Sequence, residues 1–336
     1  MILLRPILTF CPPTRRTEAS LRSTLSAPAW ARTAARGAVA VAAVAALAAC
    51  SPGGQGSPAS PGQGGTVRVV ASTNVYGDLA RAVGGDRVTV TSIVSATSQD
   101  PHSYEATTHD RLAVSKASLV IENGGGYDPY MDPLVREADL GPDSVITAVE
   151  TAGLAAGASA GRPAFNEHVW YDVSAMKKVT DAIAARLGAL DPAGRDAYAG
   201  RARDVDGRLS GLESTLAALK SSAAGKSAVM TEAVPLYLLQ AAGLRDATPT
   251  AYSSAVEEEQ DVPPAALRAT LDLVSSRSVA LLAYNPQTES PQTQQLRAAA
   301  EAAKVPVVDF TETVPEGEDY LGWMSQNVAA LKKALA

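Results

Sequence analysis

A chain of 336 residues with 46% apolar side chains has enough material for one large or two medium globular domains. Its formal charge of −6 argues against a nucleic-acid partner. Two cysteines, one of them at position 11 of a leader-like segment, exclude a disulfide framework.

In chain order, Arg5, Arg15, Arg16, Arg22, Arg32 and Arg36 with a single acid, Glu18, precede an uncharged Ala/Val-rich run from Gly37 to Ala49. A permanent membrane helix needs about twenty apolar residues, and this run is shorter. Residues 1–49 therefore read as an export signal peptide. Arg15-Arg16 stands too far from the apolar run to favour twin-arginine export, and the true start codon is expected downstream of Met1. The run closes in Leu47-Ala48-Ala49-Cys50, which resembles the lipobox of bacterial lipoproteins and implies lipidation of Cys50. Ser51 to Gly65 (SPGGQGSPASPGQGG) has almost no apolar content and reads as a flexible tether, so residues 50–65 form anchor and spacer. Without residues 1–49 the chain carries −11, a balance suited to handling cations.

From Thr66 the composition turns globular. Val67 to Ala71 predicts a buried strand, Val75 to Val83 a helix, Val88 to Val94 a strand, Thr108 to Ser118 a helix, and Leu119 to Glu122 a strand ending at Asn123-Gly124-Gly125-Gly126. Later, Ser227 to Thr231, Val279 to Tyr284 and Val305 to Val308 predict strands, and Ala265 to Ser275, Thr293 to Ala303 and Tyr320 to Lys333 helices. This alternation implies an α/β fold with mainly parallel sheets. Between the halves, Tyr198, Ala202, Val205, Leu209, Leu212, Leu216 and Leu219 follow steps of four and three, which places them on one stripe of a long helix. A helix lying across two lobes is preferred over a coiled-coil dimer, because Gly200, Gly207 and Gly211 interrupt the heptads. The expected organisation is an N-terminal lobe at 66–195, a connecting helix at 196–222 and a C-terminal lobe at 223–336.

Only three histidines occur, and two sit in charged and aromatic strings: DPHSYE around His102 and NEHVWYD around His168. Neutral imidazole is a common ligand for divalent transition metals. His109, seven residues after His102, reads as a solvated helix-start residue, and Glu257-Glu258-Glu259 as a solvated charge run. Trp170 and Tyr171 are expected to wall His168, with Asp172 capping the following helix. Asp100 either orients His102 or serves the turn before Pro101.

The order of STNVYGDLA, DPHSYE, NEHVWYD, a long helix, TEAVPLY and DFTETVPEGEDY resembles the zinc- and manganese-binding receptors of bacterial ABC importers, from about Val67 to the C-terminus. The resemblance implies two α/β lobes joined by one rigid helix, with a metal held between them by four side chains. Carried onto this sequence, the ligands are His102, His168, Glu232 (five residues before Tyr237) and Glu312. Family members usually have Asp at the last position, which leaves Asp309 and Glu316 as neighbours that could substitute. It also implies a lipid-anchored monomer outside the cell membrane that delivers Mn²⁺ or Zn²⁺ to a permease and its ATPase subunit.

Two imidazoles and two carboxylates would neutralise a dication, and Glu in place of a third His hardens the set toward manganese. Four protein ligands leave no open position for a substrate, and no nucleophile elbow, P-loop or HExxH string occurs, so no enzyme is expected. The competing readings are a surface zinc hydrolase and a metal-stabilised adhesin.

Overall fold

A computed structural model describes residues 66–154 and 165–336. The expected signal peptide, Cys50 and the tether lie outside the described residues. Among the described residues no helix is long and apolar enough to cross a membrane.

The first lobe begins with β1 (Val67–Thr73), whose side chains are buried on both faces apart from Arg68, as the central strand of a covered parallel sheet requires. It passes directly into α1 (Asn74–Gly84), which turns Val75, Tyr76, Leu79, Ala80 and Val83 onto the sheet at helical spacing. β2 (Val88–Val94), α2 (Thr108–Val114), β3 (Leu119–Glu122), α3 (Met131–Glu137), β4 (Val145–Thr147) and α4 (Ala148–Ala152) follow. The strands lie in the order β2-β1-β3-β4, all parallel, with Val69 opposite both Val90 and Leu119. Helix α2 stops four residues before the expected Ser118 because residues 115–117 form a turn, in which Lys116 and Ala117 donate three residues back.

An 18-residue helix, α5 (Val173–Leu190), leads into α6 (Arg195–Ala223), which at 29 residues is the longest element among the described residues. The second lobe then contains β5 (Ser227–Met230), α7 (Leu236–Ala241), β6 (Arg245–Asp246), α8 (Thr250–Glu257), α9 (Pro264–Ser275), β7 (Leu281–Tyr284), α10 (Pro291–Ala303), β8 (Val307–Asp309) and α11 (Tyr320–Leu335). Its sheet, β6-β5-β7-β8, repeats the order of the first, again all parallel.

The expected stripe of α6 is the face that packs. Tyr198, Ala202, Val205, Leu209, Leu216 and Leu219 are buried and Leu212 half-buried, within a core that is continuous from α1 and α5 of the first lobe to α7 and α11 of the second. The stripe is thus covered by the chain's own helices. In each sheet the strand order reverses beside the first strand of the lobe, which opens a crevice at the carboxyl ends of the strands. The loops that leave those ends carry the residues described next.

Candidate metal centre

His102 lies in the loop after β2, where Pro101 and a polar turn fix its position. Asp100 accepts from the His102 backbone N–H at 3.0 Å and from Ser103 Oγ at 2.8 Å, so it is a turn residue that orients His102 through the backbone. His168 precedes a single helical turn formed by Val169–Tyr171. Asp172 caps α5 by accepting from the N–H groups of Ser174 and Ala175, as the sequence implies. Glu232 follows β5, and Glu312 follows β8.

His102, His168 and Glu312 converge, with one potential ligand atom from each within 4.8 Å of the others. The two imidazole centroids are 6.0 Å apart, and His102 Nε2 lies 3.7 Å from Glu312 Oε2. Glu232 stands outside this trio and joins it through Asn285, whose side-chain amide donates to Glu232 Oε2 at 2.6 Å and to Glu312 Oε1 at 2.9 Å. Thr288 Oγ1 adds a second donor to Glu232 Oε2 at 2.6 Å. His168, Glu232 and Glu312 are buried, whereas the His102 side chain is 24% exposed and forms the mouth. Asp309 instead pairs with Arg297 at 3.1 Å, and Glu316 is on the surface, so neither of these neighbours joins the cluster.

Burial dominates the electrostatics. The Glu312 carboxyl is held well above its ordinary pKa, first by desolvation and then by the charge of Glu232. Glu232 is pushed up to about 7, again by burial, although the Thr288 and Asn285 hydrogen bonds oppose the shift. Burial, followed by the proximity of His102, pulls His168 well below its ordinary value and keeps it neutral. Asn166 Oδ1 lies 2.6 Å from His168 Nδ1, a partner that places the ring proton there and leaves Nε2 with a lone pair. Glu312 Oε2 is buried without a hydrogen-bond partner. Neutral imidazole, an unpartnered buried carboxylate oxygen and two buried carboxyls whose ionisation a cation would favour make a donor set that fits a dication.

The surroundings follow expectation in part. Trp170 packs on His168 with ring centroids 5.2 Å apart. Tyr171 turns toward the second lobe, donating its hydroxyl to Thr311 O at 2.8 Å and packing against Phe310 and Trp323. His109 is exposed at the start of α2, away from the site. Glu257 departs from the expected solvated run: at the end of α8 it is half-buried close to Glu167 and His168, and burial pushes its carboxyl up to about 8. Only Glu258 and Glu259 are exposed.

Residues 69–334 match the family described as zinc-uptake complex component A, periplasmic. The chain belongs to this zinc-uptake component A family. Two of its relatives are named as bacterial lipoproteins. The metal ABC transporter substrate-binding lipoprotein FimA of Streptococcus parasanguinis is 25% identical over 82% of this chain and 91% of its own length. The manganese ABC transporter substrate-binding lipoprotein PsaA of Streptococcus mitis is 23% identical over 81% and 90%. Among solved structures, the periplasmic zinc-binding protein TroA of Treponema pallidum superposes with a TM-score of 0.67 at 20% identity, covering 81% of this chain and all of TroA. That likeness shows the same two-lobe fold.

Three residues outside the expected set shape the candidate site: Asn166, Asn285 and Tyr127. Asn166 stands two before His168 within NEHVWYD, and an Asx turn ahead of a candidate ligand is a readable pattern. Asn285 and Tyr127 reach the site only because the sheet order brings the ends of β7 and β3 beside it.

Proposed function

We propose that this protein is the extracytoplasmic receptor of an ABC importer, capturing a divalent transition metal, Mn²⁺ or Zn²⁺, and passing it to a permease served by an ATPase subunit. Membership of the zinc-uptake component A family and the names of the lipoprotein relatives support this reading. The observation that carries it is the meeting of His102, His168 and Glu312 between two lobes, with Glu312 Oε2 buried and unpartnered. His102, His168, Glu232 and Glu312 are the proposed ligands. Cys50 is the proposed lipid anchor and residues 50–65 its tether, with an N-terminal lobe at 66–195, a connecting helix at 196–222 and a C-terminal lobe at 223–336. The receptor is proposed to act as a monomer without catalysis.

On this reading, capture exchanges a hydrogen-bonded carboxylate cluster for an ion. The dication neutralises Glu232 and Glu312 together, so the site closes without burying net charge. Glu232 reaches the ion by loosening its bonds to Asn285 and Thr288. Release needs only the reverse movement of that side chain or a small shift of its loop. The test is native mass spectrometry with metal analysis of protein purified from metal-limited cells. One equivalent of Mn²⁺ or Zn²⁺ in the wild type and none in His102→Ala is expected. A metal content unaffected by His102→Ala would refute the assignment.

A further inference from the structure

Tyr127 is completely buried, yet its hydroxyl has no hydrogen-bond partner. Its ring packs beside both candidate imidazoles, 4.9 Å from His102 and 5.8 Å from His168, and lies 4.6 Å from Trp170. The loop that puts it there is built for the purpose. Asp128 accepts from the N–H groups of Asn123 and Gly124, and Asn123 Nδ2 donates to Glu167 O beside His168. Gly125 has φ of +70°, and a Cβ there would meet Phe165 at 2.5 Å, so the chain turns tightly before Tyr127. Phenylalanine would fill the same space without burying an unpartnered hydroxyl, so the oxygen needs another explanation.

A candidate partner lies in the same site. Glu312 also has an unpartnered buried oxygen, Oε2, while Asn285 occupies Oε1. The two orphan oxygens share a neighbour: the His102 ring that packs edge-on against Tyr127 at 4.9 Å places its Nε2 3.7 Å from Glu312 Oε2.

We propose that Tyr127 is a positioning residue for the cargo ion: its hydroxyl donates to Glu312 Oε2 in the loaded site, so that with Asn285 on Oε1 both carboxylate oxygens carry a donor. A carboxylate held in this way binds through one lone pair and does not chelate. It thereby favours an ion content with four ligands, such as zinc, over manganese, which takes more oxygen ligands. This inference rests on the proposed metal-receptor reading.

The experiment compares Zn²⁺ and Mn²⁺ binding by the wild type and Tyr127→Phe, with Tyr127→Leu as a second variant without the hydroxyl. The visible spectrum of each protein loaded with Co²⁺ is also recorded. Loss of the hydroxyl should lower the preference for zinc over manganese by about 10–100-fold. It should also weaken the intense absorption of four-coordinate cobalt, with no loss of thermal stability in the metal-free Phe variant. An unchanged preference and an unchanged cobalt spectrum overturn the inference while leaving the receptor reading intact. A wild-type chain that binds neither ion overturns both.

Discussion

At the scale of single residues, the candidate site holds two acids whose ionisation burial opposes and a cation would favour. Glu232 is pushed up to about 7 from an ordinary value of 4.5, and Glu312 is raised in the same direction. Between those pH values the unfolded chain has lost protons that the folded chain retains. The metal-free protein should therefore lose stability as pH rises from about 4.5 through about 7. A bound dication displaces the same protons, so apparent metal affinity should rise over that range, and calorimetry in buffers of different ionisation enthalpy should detect proton release. Affinity that stayed flat between those pH values would contradict the burial argument. Asn285→Ala removes the amide shared by both carboxylates and should weaken metal binding by about 10–100-fold in a competition titration, without moving the helical signal. The two histidines were legible in sequence because scarce imidazoles stood in distinctive strings. Glu257 was misread, since its partial burial comes from the docking of α8 near the segment that carries His168, which no local pattern encodes.

Among the elements, α6 was the most legible, because 29 residues leave room for many turns of one repeating stripe. β2 and β3 were bounded correctly by their apolar runs. β4 and β6, with three and two residues, are too short to show a period and exist through their neighbours in the sheets. For α5 only the cap was read, although Val173, Met176, Thr180, Ile183 and Leu187 recur at helical spacing. Two predictions belong to α6. Leu209→Ala removes a fully buried side chain from the joint between lobes and should cost about 2–5 kcal/mol in denaturant unfolding. Gly207→Ala and Gly211→Ala point into open space on the exposed face, and each should stabilise the chain by about 0.5–1 kcal/mol. A fall in melting temperature with either glycine variant would show that the exposed face has a packing role.

For the whole molecule, the lobes meet through more than the connecting helix. Asn74 at the start of α1 exchanges two hydrogen bonds with Val314, at 2.8 and 3.0 Å. Tyr320 donates to Trp170 O at 2.7 Å, Tyr237 to Asn166 O at 2.8 Å, and Asn166 Nδ2 to Ala233 O at 2.9 Å. With α6 packed along both lobes, these bonds predict a small opening rather than a wide hinge. Solution scattering should give nearly the same radius of gyration with and without metal, and a large contraction on loading would contradict this. Asn74→Ala should accelerate metal release measured by stopped-flow chelation while leaving the ligands in place. The two-lobe plan was readable from the alternation of strands and helices. These clasps between lobes were not, because their partners lie up to 240 residues apart in sequence.

Trp170, which lies against His168, also gives the protein its own optical reporter. The chain has three tryptophans, at positions 30, 170 and 323, and the first falls in the segment expected to be removed on export. The indole ring of Trp170 is 5.2 Å from a candidate ligand ring, while Trp323 lies beyond Tyr171 in the same aromatic seam. An ion with unpaired electrons at that distance quenches indole emission, and closed-shell zinc does not. The colourless protein should therefore distinguish its possible cargoes by brightness alone, without a label.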